Sequence, residues 1–390
     1  MTRGTDVTEM KRIYRTAVAA DFPDHFTFQF TKTGDLRYGE NPNQPGAVYT
    51  LQGTSLAQLT NIHLAKTGKG GLSATNLMDV THALTILKYF SEPAVAVMKH
   101  LIPSGFATAS PAEKSLRGLY YNARNADARS AYGSVVVFNR PVDIPTALEL
   151  LTTYVEGVAA PEYEEGVVAI LKQKPDLRVV LFGNLDKIPK FVGDDVGGIY
   201  DIKILADGSA IIQQPYLTSI RGVSDLIIDP LVKKDGKEHF VARDPTLSEL
   251  SDLLTAWYIN FGVRSNGIVI VKDGVTLSIG TGQQERVGAV ENAILKAYQK
   301  ALDRASISCH HSLFNWIGFA RTQNLFPLKG AAVSSDAFFP FRDSIDLLAE
   351  HGVTAVVQPG GSVRDSEVID AVNEHKMAMA FTLERCFAHF

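Results

Sequence analysis

The feature that most constrains this chain is the recurrence of short, β-rich apolar runs between helical stretches. The runs are AVAVM, SVVVF, GIVIV, TLSIG, GAAVS, VTAVV and MAMAF. Helical periodicity is clearest in NLMDVTHALTILKYF, PTALELLTTYVEGV, PTLSELSDLLTAWYINFG, VGAVENAILKAYQKALDRA, RDSIDLLAEHG and RDSEVIDAVNEH. Such alternation predicts an α/β fold. At 390 residues the chain exceeds what one hydrophobic core usually organises. The segment from Val192 to Lys237 carries turn signals and little helical period, so it reads as a connection between halves. Two domains are expected, 1–205 and 206–390. No short-period repeat is visible, so any duplication is weak in sequence.

Composition narrows the function classes. A net charge of -4 without a long basic run gives no electrostatic footprint for nucleic acid or an anionic membrane surface. No apolar stretch approaches the roughly 20 residues of a membrane-spanning helix, and MTRGTDVTEMKR lacks the apolar core of a signal peptide. A cytoplasmic protein is expected. Cys309 and Cys386 are too few for a disulfide framework and lack CxxC spacing, so both read as passive thiols.

Five motifs carry the candidate chemistry. In LRYGENPNQPG (36–46), prolines, glycines and amide side chains prevent regular structure. Its Arg37 and Tyr38 offer a forked cation and a phenol for a phosphate or carboxylate. AVAVMKHLIPSGFA reads as a buried strand ending in Lys99 and His100, with the turn assigned to Pro103, Ser104 and Gly105. That places the dipeptide at a strand's carboxyl end, where open α/β sheets bind ligands. RSNGIVIVKDG and LSIGTGQQERVGAVENAI give two strands, a glycine turn and a helix start able to hold an anion, with Asn266 at a strand start. SSDAFFPFRDSID offers an aromatic slot for a flat ring, and VVQPGGSVRDSE a tight turn for a polar edge.

Taken together, RYGENPNQ, the KH dipeptide with PSG, RSNG, GTGQQER, SSDAFFPFRD and the C-terminal arginine resemble the transformylase part of the bifunctional AICAR transformylase/IMP cyclohydrolase family, in the family's order. The resemblance runs from about Phe26 to His389. It implies two tandem cytidine-deaminase-like units from an ancient duplication, an intertwined homodimer, and active sites shared between subunits. It implies AICAR as substrate and 10-formyltetrahydrofolate as formyl donor, with no metal required. Lys99, His100 and Asn266 would act on the reacting groups. Arg37, Tyr38, Gly133, Glu156, Arg286 and Arg385 match positions around the nucleotide. Val287, Phe338, Asp343, Gly360 and Gly361 match the folate side.

The chain departs from the family pattern in three places. Asn43 stands where the family usually has histidine, and Ile102 where it has asparagine. Only about 25 residues precede the transformylase region, so a stand-alone transformylase with a separate IMP cyclohydrolase is expected. Two competing readings differ in signature. A zinc-dependent nucleobase deaminase would carry H-x-E and P-C-x-x-C, whereas Lys99-His100 is followed by Leu101 and Cys309-His310-His311 lacks a partner cysteine. A catalytically silent AICAR-binding regulatory protein fits the changes at Asn43 and Ile102 but not the retained Lys99 and His100.

Overall fold

The computed structural model describes residues 4–9, 22–52, 62–183, 185–307 and 315–390. The Cys309-His310-His311 string lies outside the described residues. Among the described residues, eleven strands form one central sheet. In chain order they are β1 (His63–Lys66), β2 (Ala94–Lys99), β3 (Ile102–Thr108), β4 (Ser134–Phe138), β5 (Val155–Ala160), β6 (Arg178–Leu181), β7 (Ile268–Lys272), β8 (Val275–Gly280), β9 (Ala332–Ser335), β10 (Ala355–Gln358) and β11 (Ala378–Phe381). Across the sheet they run β11-β10-β9-β7-β8-β3-β2-β4-β5-β6-β1.

The helices between them are α1 (Ala74–Leu87), α2 (Leu116–Ala126), α3 (Ala128–Ala131), α4 (Ile144–Leu150), α5 (Val167–Leu171), α6 (Leu247–Asn260), α7 (Arg286–Arg304), α8 (Trp316–Thr322), α9 (Asp343–Glu350) and α10 (Asp365–Glu374). The same order runs twice. A helix precedes an antiparallel hairpin, β2/β3 or β7/β8, and another helix follows it. The first hairpin strand pairs antiparallel with the next strand, β4 or β9, and two parallel pairings complete each half. The halves meet where β3 and β8 pair antiparallel, Ala107 opposite Val275, so the sheet is continuous.

Side-chain alternation explains the layers. Ala94, Ala96, Met98, Val135, Val137, Val269 and Val271 face α1 and α6, which share one core on one side of the sheet. Val95, Val97, Val136 and Phe138 face the other side, under α2 and α4. Ile268, Ile270, Val333 and Val356 pack there under α7, α9 and α10. These strands are buried on both faces, which is why they read as continuous apolar runs. Each fully buried Val or Ile contributes about 1.5–3 kcal/mol over exposure. The approach is closest at Gly105, where an added Cβ would stand 1.8 Å from the Ala123 carbonyl oxygen of α2.

One predicted helix is shorter than its pattern suggests. PTALELLTTYVEGV is helical only to Leu150, and Val155–Ala160 forms β5, a strand enclosed by β4 and β6. Burial between parallel neighbours decides the conformation there. The 192–237 segment lies outside the central sheet and holds a hairpin of Asp201–Ile204 with Ala210–Gln213.

Candidate active site

Lys99 pairs with Ile102, leaving His100 and Leu101 as a two-residue hairpin loop. Both have positive φ, 54° and 67°. That conformation matches the strand twist but usually takes Asn or Gly. Each non-glycine residue held there costs on the order of 1–3 kcal/mol. The turn therefore falls earlier than the Pro103-Ser104-Gly105 assignment, and those residues lie in β3. Pro103 sits opposite Met98 at a register shift, where its missing N–H is tolerated.

The turn presents an exposed His100 beside a half-buried Lys99. The Lys99 Nζ donates to the Gly133 carbonyl at 2.7 Å and to that of Tyr132 at 3.3 Å. Gly133, with φ of 69°, leaves a gap between groups. A Cβ there would lie 3.2 Å from the Lys99 Nζ and 3.6 Å from Glu156 Oε1. Glu156 Oε2 accepts from the Asn76 Nδ2 at 3.0 Å. The Leu101 amide donates to Asp79 Oδ1 at 2.7 Å. Burial raises the Asp79 carboxyl to about 6, against the pull of the Leu101 amide and the His100 and Lys99 charges, while Glu156 pushes it further up.

Arg37 and Tyr38 reach the same neighbourhood from the 36–46 loop, which joins the strands Phe30–Asp35 and Ala47–Leu51. The Arg37 amide donates to the Leu72 carbonyl, and the Tyr38 carbonyl accepts from Ala74 at the start of α1. The exposed guanidinium of Arg37 lies 5.1 Å from the Tyr38 ring centroid. Asn43 is exposed on this loop and Ile102 is half-buried at the start of β3.

The remaining candidates belong to the second half. Asn266 precedes β7, and its Nδ2 donates to the Gln283 carbonyl at 2.7 Å. Arg286, the first residue of α7, is buried, its Nη1 bonded to Asp336 and to the Gly267 carbonyl. Its neighbour Val287 is half-buried, as is Phe338 beyond β9. Asp343 is exposed and accepts from the Ser344 amide at 2.6 Å. Gly360 and Gly361 have φ of 73° and 91°. A Cβ on Gly360 would stand 2.4 Å from the Phe381 ring, and the Gly361 amide donates to Asp365 at 2.7 Å. Arg385 is exposed, 4.7 Å from the Phe387 ring.

All these positions lie at one end of the sheet. In the second half it is the carboxyl end of the parallel strands β9–β11. In the first half β2 runs antiparallel to β4, so the carboxyl end of β2 sits beside the amino ends of β4–β6. A cleft lined by Lys99, His100, Ser104, Ser130, Thr281 and Lys296 links the β2/β3 turn to the end of β8. Even so, β10 is five neighbours from β2, about 24 Å at 4.8 Å per strand. The candidates thus form two groups. One gathers Arg37, Tyr38, Lys99, His100, Gly133 and Glu156, and the other the residues from Asn266 onward.

The sequence profile of the AICARFT/IMPCHase bienzyme family matches residues 7–296, a span holding the Lys99-His100 turn, Asn266 and Arg286. The chain belongs to this family. It is 36% identical over 373 residues to the bifunctional purine biosynthesis protein PurH of Persephonella marina, covering 94% of this chain and 62% of the relative. The Magnetococcus marinus protein of that name is 37% identical over 372 residues, covering 94% and 62%. That of Aquifex aeolicus is 37% identical over 359 residues, covering 91% and 59%. The chain spans about three fifths of the length of the curated relatives it matches.

Two buried polar residues of this AICARFT/IMPCHase family member escaped the sequence reading. Asn76 and Asp79 sit three apart on the first turns of α1, behind the capping Ser73, and face the Lys99-His100 turn. The available signal was a polar pair on the otherwise apolar face of NLMDV. Among the described residues, no three His, Cys, Asp or Glu side chains gather as a metal site. No helix among them is long and apolar enough to cross a membrane.

Proposed function

We propose that this chain carries AICAR transformylase activity, moving a formyl group from 10-formyltetrahydrofolate to the 5-amino group of AICAR to give FAICAR. The observation that carries the reading is the Lys99-His100 turn, set against Gly133 and Glu156 in a chain of this family. The AICAR amine is conjugated with the carboxamide and is a poor nucleophile, so it needs a base. His100 takes its proton as the nitrogen attacks the formyl carbon. The Lys99 ammonium and the Asn266 amide stabilise the tetrahedral oxyanion. The bond from the formyl carbon to N10 of the folate then breaks as that nitrogen takes up the proton His100 had accepted, which restores the neutral imidazole. Arg37, Tyr38, Gly133, Glu156, Arg286 and Arg385 would surround the nucleotide. Val287, Phe338, Asp343, Gly360 and Gly361 would line the folate side.

The twice-run order of elements supports a duplicated, cytidine-deaminase-like fold with units at 1–205 and 206–390. The separation of the two residue groups supports a homodimer in which each site draws on both copies. The inward-facing Nη1 of Arg286 is bound within its own chain, so the contribution of that residue to a partner's site rests on its other nitrogens. Incubation with AICAR and 10-formyltetrahydrofolate tests the reading. Formylated AICAR is expected; ammonia would indicate a deaminase, and binding without product would indicate a silent AICAR-binding protein.

A further inference from the structure

The carboxyl of Asp79 is buried, yet none of the roles assigned to the site uses it. Leaving such a group without a partner would be costly, and among the described residues it is the Leu101 backbone amide, in the turn that carries His100, that donates to it. In a two-residue hairpin the closing bonds belong to the flanking pair, here Lys99 and Ile102. The loop amides are left to find other acceptors. Leu101 has φ of 67°, a conformation with no glycine to ease it. A bond to a carboxylate is among the stronger neutral-to-charged hydrogen bonds and is comparable in size to such backbone strain.

The anchor behind Asp79 is rigid. Ser73 and Asn76 close a reciprocal cap at the start of α1. Three residues apart, Asn76 and Asp79 project from the same side of the helix. Asn76 grips Glu156 on β5, and Asp79 grips the Leu101 amide, so one helix face sets both sides of the Lys99 surroundings. The charged groups facing the Asp79 carboxyl are Lys99, His100 and Glu156.

We propose that Asp79 is a positioning residue, whose carboxylate clamps the Leu101 amide and thereby fixes the left-handed turn that presents His100 beside Lys99. The inference rests on the reading of Lys99 and His100 as the reacting groups. Its first test needs no variant and no turnover. In the unmodified protein, the Leu101 amide proton should follow the titration of the Asp79 carboxyl near pH 6, read by nuclear magnetic resonance with selective labelling. A Leu101 signal indifferent to that titration would overturn the clamp.

The second test separates charge from acceptor. Asp79→Asn keeps an oxygen that can accept from Leu101, whereas Asp79→Ala removes it. The alanine variant should speed Leu101 amide exchange at least tenfold and lower kcat at least tenfold, with KM for AICAR moving less than threefold. The asparagine variant should retain most of the exchange protection and lose less kcat than alanine. Equal kcat loss in both variants, with Leu101 protection intact in both, would contradict positioning. Absence of formyl transfer by the unmodified protein would instead refute the functional reading, while the Leu101 titration still decides the contact.

Discussion

Replacing Arg286 with alanine should destabilise the fold before it reports on any ligand. The guanidinium meets Asp336 with side-chain exposures of 6% and 0%. Asp336 also accepts from the Ser265 hydroxyl at 2.6 Å, but that neutral donor does not balance its charge. Removing one partner of a buried pair typically costs about 3–5 kcal/mol, because the other is left uncompensated. At 1.4 kcal/mol per tenfold, the folded-to-unfolded ratio falls by roughly 10² to 10³ or more. The buried Trp257, on the core-facing side of α6, provides the signal for urea unfolding by fluorescence. Removing both charges with Arg286→Met and Asp336→Leu together should cost less than Arg286→Ala alone. An Arg286→Ala midpoint within about 1 kcal/mol of the unmodified protein would refute this account of the pair.

Further expectations follow from the same geometry. Gly105→Ala places a Cβ 1.8 Å from a backbone carbonyl, so α2 must move, and a loss of about 1–3 kcal/mol or more should lower the thermal midpoint. Mixing His100→Ala with an Arg286 variant shown to be folded should restore some turnover through hybrid dimers; no recovery despite demonstrated subunit exchange would count against a shared site. The Asp79 carboxyl is raised in the folded state to about 6, so its contribution to stability falls as pH rises through that value. Asp79→Asn should remove that slope, worth no more than about 3 kcal/mol between pH 4 and 7, in parallel denaturation curves.

Much of the fold was legible because burial on both faces writes strands as uninterrupted apolar runs. Seven of the eleven central strands appear that way, from AVAVM to MAMAF. The others were hidden for specific reasons. IPSGFAT begins with proline, serine and glycine, which read as a turn, yet a register shift lets β3 absorb them. VEGVAA continues a helical pattern in sequence, and only its place between β4 and β6 makes it a strand. Lys99 and His100 were visible because ionisable residues ending an apolar strand are conspicuous. Their presentation was not, since it depends on Leu101 at positive φ and on Asp79, twenty or so residues earlier along the chain. Arg286 was legible only through the family resemblance, and its bond to Asp336 is a long-range contact that local pattern does not encode.

The central claim is that His100 is the base, and the Asp79 carboxyl, raised by burial to about 6, is bonded to the same turn. Measuring kcat against pH with both substrates saturating, for His100→Ala and Asp79→Asn, separates them. The account predicts that His100→Ala turns over about 10²–10⁴ times more slowly and loses the acidic limb, because no positioned group remains to accept the amine proton. Asp79→Asn should keep that limb. An acidic limb unchanged in His100→Ala would contradict the assignment and pass the base's role to another group or to water.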